Sequence, residues 1–362
     1  MCLRYCQSKR NFHRPIGELN HALFDKGSCE CHPERQALMS AASTAHPVLA
    51  IGLYALDFAS TESHQPPHFA GNQWRGALGH ALRDLACITG ARTCEGCKQT
   101  HACAYAYLFE TPPPADTQKM RLYDRAPHPF TLRETEGPAG VRLILSLFGR
   151  GNAYLPLMVL ALRRAALSAR GIGGRRMTLE KVCQVQSDQA HIWTRIDEAA
   201  GTLAPLAVVP TRDFPACPSG TVELRLLSPL RVKRDGRLVA VKDFRFADLF
   251  GNLLRRISML TYFHTETPFE TDFQGVMALA KAVQCAAELQ WIEQTRHSSR
   301  QKQEMPFGGL TGTIRLAGAD IAPLWPILWL GQYTHAGAGA TMGLGHYALA
   351  SLSQPAPTTA PV

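Results

Sequence analysis

The stretch GAGATMGLG, residues 337–345, lies between an apolar run at residues 323–332 and an alternating run at Tyr347–Leu352. Apolar residues at helical spacing predict a helix before this glycine-rich loop, and alternation predicts a strand after it. A second stretch, GIGGRR at residues 171–176, also has a predicted helix before it and a predicted strand after it. The repeated order of helix, glycine-rich loop and strand therefore predicts two similar halves.

Strands and helices are interspersed in both halves, which predicts an α+β protein. The predicted strands are 48–58, 141–147, 177–185, 221–227, 310–316 and 347–352, with a turn at Asp235-Gly236, and the predicted helices are 72–85, 155–168, 246–263, 273–290 and 323–332. A Pro-rich stretch near Cys217 separates the halves. We expect four regions: a poorly structured extension at 1–45, domains at 46–210 and 220–352, and a tail at 353–362.

Composition limits the class of protein. A chain of 362 residues has the length of two domains, and 46% hydrophobic residues exclude wholesale disorder. No apolar run approaches the roughly 20 residues of a membrane span, and the basic N-terminus lacks the apolar core of a signal peptide, so we expect no membrane partner and a cytoplasmic location. The net charge of +9 favours a polyanionic partner, the alternative being a merely basic enzyme.

Four of the eleven cysteines form the pattern C-x6-C-x2-C-x5-C at Cys87, Cys94, Cys97 and Cys103. Four thiolates complete a tetrahedral zinc site, so we predict a structural zinc in a cysteine-rich insertion at 87–103. The alternative is reduced cysteines packed against the preceding helix. A filled four-thiolate site leaves no open position for catalysis.

Basic residues cluster at two places. The first cluster lies within residues 161–176, where there is no acidic residue, and comprises Arg163, Arg164, Arg170, Arg175 and Arg176. The second cluster follows Trp291, whose ring could stack on a base, and comprises Arg296, Arg300 and Lys302. Both are typical of RNA phosphate contacts, although a solvated surface has the same composition. Glycines 337, 339, 343 and 345 let a backbone approach a phosphate or a base, or simply form a turn that packs a helix against a strand.

Seven motifs occur in an order that resembles one family. They are WRGALGHALR (74–83), the four cysteines leading to CAYAYLFE (103–110), GIGGRR (171–176), RRISML (255–260), SSRQK (298–302), GGLTG (308–312) and LGQYTHAGAGATMGLGHY (330–347). Together they resemble the repeat-associated (RAMP) CRISPR endoribonucleases, which process precursor CRISPR RNA in antiviral defence.

The resemblance implies two tandem ferredoxin-like, RRM-like domains and metal-independent cleavage within each repeat. The ribose 2′-OH attacks the adjacent phosphate, giving a 2′,3′-cyclic phosphate and a 5′-OH. We expect precursor CRISPR RNA as the partner, with other CRISPR effector subunits as further partners, and no catalytic metal.

For catalysis we expect His335 as base or acid, with His264 or His80 as the other proton carrier, and Arg300 and Lys302 at the phosphate. We expect the four loop glycines, Gly337, Gly339, Gly343 and Gly345, to contact RNA through backbone N–H groups.

Two rival functions remain. A non-catalytic RAMP subunit that binds guide RNA and scaffolds an effector complex would share the fold, and a zinc-stabilised nucleic-acid-binding protein outside CRISPR would share the charge and the cysteines.

Overall fold

The computed structural model describes residues 46–60, 70–91, 93–114, 117, 126–187, 192–197, 202–293, 295–298 and 303–352. The extension at 1–45 and the tail at 353–362 lie outside these ranges. Two antiparallel sheets account for most of the described strands, one in each half of the chain.

The first sheet has the strand order β2-β3-β1-β4-β5, and β6 pairs with β1. Its elements are β1 (Leu49–Ser60), α1 (Gly71–Ala86), β2 (Phe130–Gly137), β3 (Gly140–Phe148), α2 (Leu155–Leu167), β4 (Met177–Ser187), β5 (Ile192–Arg195) and β6 (Pro210–Thr211). In sequence these elements begin as strand, helix, strand, strand, helix, strand. The strands form an antiparallel sheet in which the first strand, β1, lies near the centre. This arrangement is consistent with a ferredoxin-like domain.

The second sheet has the order β10-β13-β7-β14 and follows the same plan. Its elements, with two small hairpins, are β7 (Thr221–Leu230), β8 (Lys233–Arg234), β9 (Arg237–Leu238), α3 (Phe246–His264), α4 (Phe273–Ala282), β10 (Cys285–Ile292), β11 (Thr295–Ser298), β12 (Gln303–Pro306), β13 (Gly309–Ala317), α5 (Gly318–Ile321), α6 (Trp325–Thr334) and β14 (Tyr347–Leu352). The similarity of the two halves that the glycine-rich stretches predict is therefore present in the strand order.

Each sheet buries one face against its helices. In the first half, Tyr54, Leu56 and Phe58 alternate along β1 and pack with Trp74 of α1 in one apolar core. In the second half, α3 supplies six buried apolar side chains to one core and packs against α4 and α6. The side-chain period of 2 in strands and 3.6 in helices brings these residues to one face.

The structure corrects one predicted helix. The helix expected at 273–290 ends at Ala282, and residues 285–292 form β10, which pairs antiparallel with β13. Cys285, Leu289 and Trp291 are half-buried against the core and follow the strand period. Pairing with β13 therefore overrides a local composition that also suits a helix.

The strand β2 was also not predicted from the sequence. Phe130 and Leu132 are buried on the helix side, whereas the other residues of FTLRETEG are mostly polar. Among the described residues, no helix is both long and apolar enough to cross a membrane.

Candidate nucleic-acid interface at the junction of the two halves

The glycine-rich loop packs against the first half of the chain. Its four glycines all have positive φ. At Gly343 a side chain is excluded twice, by a φ of 84° and because a Cβ would lie 2.7 Å from the carbonyl oxygen of Leu132 in β2. The loop therefore needs glycine here in order to reach β2.

The N–H groups of three loop glycines are already used inside the protein. That of Gly337 donates to Asn252 Oδ1 at 2.6 Å, that of Gly343 to the Ala340 carbonyl at 3.1 Å, and that of Gly345 to the Pro229 carbonyl at 3.0 Å. The expectation that these groups bind phosphate is thus wrong for Gly337, Gly343 and Gly345. Their role in this structure is to fix the loop.

The loop is joined to α1 through Arg75. Its Nε–H donates to Thr341 Oγ1 at 3.1 Å, and its Nη2 lies 3.2 Å from His128 Nε2. The other ring nitrogen of His128 lies 2.7 Å from Thr111 Oγ1, and the Arg75 guanidinium lies 4.9 Å from the centre of the Phe109 ring. Four separate chain segments thus meet around one arginine and one histidine.

This group of side chains was not predicted from the sequence. Arg75 belongs to the WRGALGHALR motif, but the motif gives it no role, and His128 stands in no recognisable pattern. Only their proximity in the folded chain reveals them, since 266 residues separate Arg75 from Thr341 in the sequence.

A second histidine pair, His335 and His346, lies at the other side of the loop. The ring centres are 4.9 Å apart; Arg133 acts electrostatically on both rings, and Arg256 acts on His335. Burial first, then His346 and the two arginines, lower the pKa of His335 well below its ordinary value, while burial and Arg133 lower that of His346 to about 3. Both rings are therefore neutral at pH 7.

His335 itself is 2% exposed, and its Nδ1 has no hydrogen-bond partner among the described residues. Its backbone is left-handed, with φ 59°, where it ends α6. A ring so enclosed cannot reach a substrate without a rearrangement. The expected role of His335 as a directly acting base or acid is therefore not supported by its position.

The two other predicted proton carriers are elsewhere. His264 is 1% exposed, donates from Nε2 to the Pro127 carbonyl at 2.7 Å and accepts at Nδ1 from Tyr107 Oη at 2.9 Å. Both nitrogens are occupied, so His264 joins the halves and does not fit a proton carrier. His80 is exposed on α1 and is not brought together with His264 or His335.

The predicted basic residues divide into three groups. The first group has exposed side chains and comprises Arg163, Arg164, Arg170 and Arg176. Arg175 is instead buried and pairs with Glu134 at 2.9 Å, so its predicted RNA contact is wrong. Arg296 belongs to β11, opposite Met305, and Arg300 and Lys302 lie outside the described residues.

The four cysteines line one cavity of about 360 Å³ beyond the end of α1. The thiols are unpaired, and in the described part of the chain no three His, Cys, Asp or Glu side chains are grouped closely enough to bind a metal. Burial raises the pKa of Cys94, whereas a hydrogen bond with Thr89 lowers that of Cys87. The four thiols therefore line one cavity, but in the described part of the chain they are not grouped as a metal centre. Zinc binding stays a prediction.

Two family models match the chain. Residues 49–205 match AF_1859_N, described as an N-terminal domain, and residues 224–347 match the CRISPR-associated endoribonuclease Cas6. An uncharacterized protein of Archaeoglobus fulgidus is 31% identical over 102 residues, which span 28% of this chain and 35% of that protein.

Solved structures share the fold. A Cas6 (TTHB231) product complex superposes with a TM-score of 0.50 at 16% identity, covering 83% of this chain and all of the other. Thermus thermophilus Cas6 (TTHB231) gives 0.48 at 16% identity, covering 83% and 99%. The paired antiparallel sheets are thus similar to the fold of the Cas6 product complex, and residues 224–347 are similar to the Cas6 endoribonuclease family.

Proposed function

We propose that this protein cleaves precursor CRISPR RNA within its repeats without a catalytic metal and then binds the processed guide RNA. The single observation that carries the proposal is a pair of arginines at the junction of the halves, beside the glycine-rich loop. The pKa values of Arg133 and Arg256 are lowered to about 10, with burial as the cause in both cases. Both guanidinium groups therefore remain charged at pH 7.

These charges lack anionic partners in the described part of the chain. Arg256 donates from Nε to the Thr334 carbonyl at 2.6 Å, but its Nη2 has no acceptor, and no carboxylate opposes the effect of burial on either arginine. Buried charges in proteins are normally paired. A nucleic-acid phosphate supplies the missing negative charge, which supports RNA as the ligand of this junction.

The chemistry requires only proton transfers and charge stabilisation. The 2′-oxygen bonds to phosphorus as it loses its proton to a base, the P–O5′ bond breaks, and the departing oxygen takes up a proton. The products are a 2′,3′-cyclic phosphate and a 5′-OH. Cationic side chains stabilise the additional charge on the phosphorane, and we keep Arg300 and Lys302 as proposed contacts there.

The remaining RNA contacts are proposed on the surface of the first half. Arg163, Arg164, Arg170 and Arg176 are exposed around the C-terminal end of α2 and the loop after it. Exposed arginines at one helix end suit the phosphate backbone rather than particular bases. We propose Arg296 as a further contact, and domains at 46–210 and 220–352 as the two ferredoxin-like units.

A second candidate function is a RAMP subunit that binds guide RNA without cleaving it and scaffolds a CRISPR effector complex. The burial of His264 and His335 favours it, because two of the three predicted proton carriers are inaccessible. The cationic junction serves either function equally well.

Cleavage of a repeat RNA from the source organism in excess EDTA separates the two. A matched RNA carries a single 2′-deoxy substitution at the cut site. Cleavage of the first RNA and not of the second supports the nuclease, whereas tight binding of both without cleavage supports the scaffold. Cleavage of the 2′-deoxy RNA would contradict attack by the 2′-OH.

A further inference from the structure

His128 differs from the other described histidines near the glycine-rich loop. It is half-buried, and both ring nitrogens have fixed neighbours. By contrast, His335 and His264 are enclosed. Accessibility combined with a fixed ring is what a proton-transfer group requires.

The neighbours of His128 determine where its proton lies. A guanidinium can only donate hydrogen bonds, so Nε2, which lies 3.2 Å from Arg75 Nη2, must carry the lone pair. The proton therefore resides on Nδ1 and is donated to Thr111 Oγ1 at 2.7 Å. His128 thus presents an unprotonated Nε2 next to a cation and next to the loop.

The backbone holds this geometry by strain. Thr111 has φ 46°, a left-handed conformation that is rare for a β-branched residue, and it follows a π-helical turn at Ala106–Glu110. Its N–H donates to the Ala106 carbonyl at 2.6 Å. Strained residues and π-helical turns occur preferentially at functional sites. Here the strained residue is the one that orients the imidazole.

We propose that His128 is the general base of repeat cleavage and that Arg75 binds the reacting phosphate; this rests on the proposed function. The 2′-OH takes the place of the guanidinium at Nε2 and gives its proton to that nitrogen while the 2′-oxygen bonds to phosphorus. The P–O5′ bond breaks, the departing oxygen takes a proton from water, and the imidazolium returns its own proton to water. Arg75 keeps its bond to Thr341, and its Nη2, displaced from His128, donates to a non-bridging phosphate oxygen.

The test compares H128A, H128Q and the wild type on repeat RNA under single-turnover conditions in excess EDTA, with RNA affinity measured separately. We expect both variants to cleave about 100-fold more slowly or worse, with affinity changed only a few-fold. The fall of the wild-type rate at low pH should disappear in H128A, and added imidazole should restore part of its rate. H46A, which alters an exposed histidine with no proposed role in catalysis or binding, should cleave normally.

Three results would overturn the assignment. Wild-type rates in both variants would remove His128 from the reaction. A normal rate in H128Q with a slow H128A would show that hydrogen bonding alone is needed, and lost affinity with a normal rate would make His128 a binding residue. A wild-type chain that binds the repeat but never cleaves it would instead overturn the proposed nuclease function, and the base with it.

Discussion

His264 should make the stability of the protein fall in mild acid. Burial is the main cause that lowers its pKa from 6.5 to about 4 in the folded chain. Below pH 6.5 the unfolded chain binds a proton at this residue and the folded chain does not, so stability is fully present above that pH and is lost as pH falls toward 4.

The magnitude follows from the two pKa values. A difference of one pKa unit corresponds to about 1.36 kcal/mol. The difference between 6.5 and about 4 therefore limits the total effect of His264 on the unfolding free energy to about 3 kcal/mol. Between pH 7 and pH 5 the contribution of His264 should decrease by about 2 kcal/mol. Because the side chain is 1% exposed, solvent screening does not reduce this value appreciably.

Urea unfolding at pH 5, 6 and 7, followed by tryptophan fluorescence, measures the effect. H264Q cannot titrate in this range, so its unfolding free energy should change by about 2 kcal/mol less between pH 7 and pH 5 than that of the wild type. Comparing pH dependences removes any constant loss of stability in the variant. H80Q is the matched control at an exposed histidine and should behave as wild type. If H264Q retained the wild-type pH dependence, the inference that this ring is neutral and enclosed would be wrong.

Two further predictions concern the first half of the chain. E134Q should lower the unfolding free energy by about 3–5 kcal/mol, because it leaves the Arg175 charge buried without its partner. The double variant E134L/R175M should recover much of this loss. If urea unfolding showed E134Q to be as stable as the wild type, the buried ion pair would be contradicted. If Cys94 and Cys97 bind zinc, elemental analysis of the purified protein should find about one zinc per chain, and C94S/C97S should lose both the metal and thermal stability. A wild-type chain free of zinc would end that prediction.

Local patterns predicted most of the fold. The alternation of β1 and β14 and the helical spacing of α1, α2 and α3 are properties of a few neighbouring residues, and the structure confirms these elements near their expected bounds. β10 and β2 depend instead on partners. Residues 285–292 become a strand through β13, and FTLRETEG is stabilised by pairing with β3.

The candidate site was less predictable. The sequence places His335 next to the loop glycines, but it carries no information on burial, and the structure encloses that ring. Arg175 and Arg176 are adjacent in the sequence, yet one is buried against Glu134 and the other is exposed. His128 and Arg75 become neighbours only when two distant segments fold together, so no spacing rule could connect them.

The bond between Arg75 and Thr341 also has a consequence for synthesis on the ribosome. Thr341 is translated 266 residues after Arg75, which takes roughly 13 to 53 s at 5–20 residues per second. N-terminal domains generally fold first during synthesis, so the first sheet can form well before the glycine-rich loop exists. A nascent chain would then expose the Arg75 side of the first half to cellular RNA for roughly 13 to 53 s, before its contact with the loop forms. Any ability to cut RNA would arise late, as the last strand joins the second sheet.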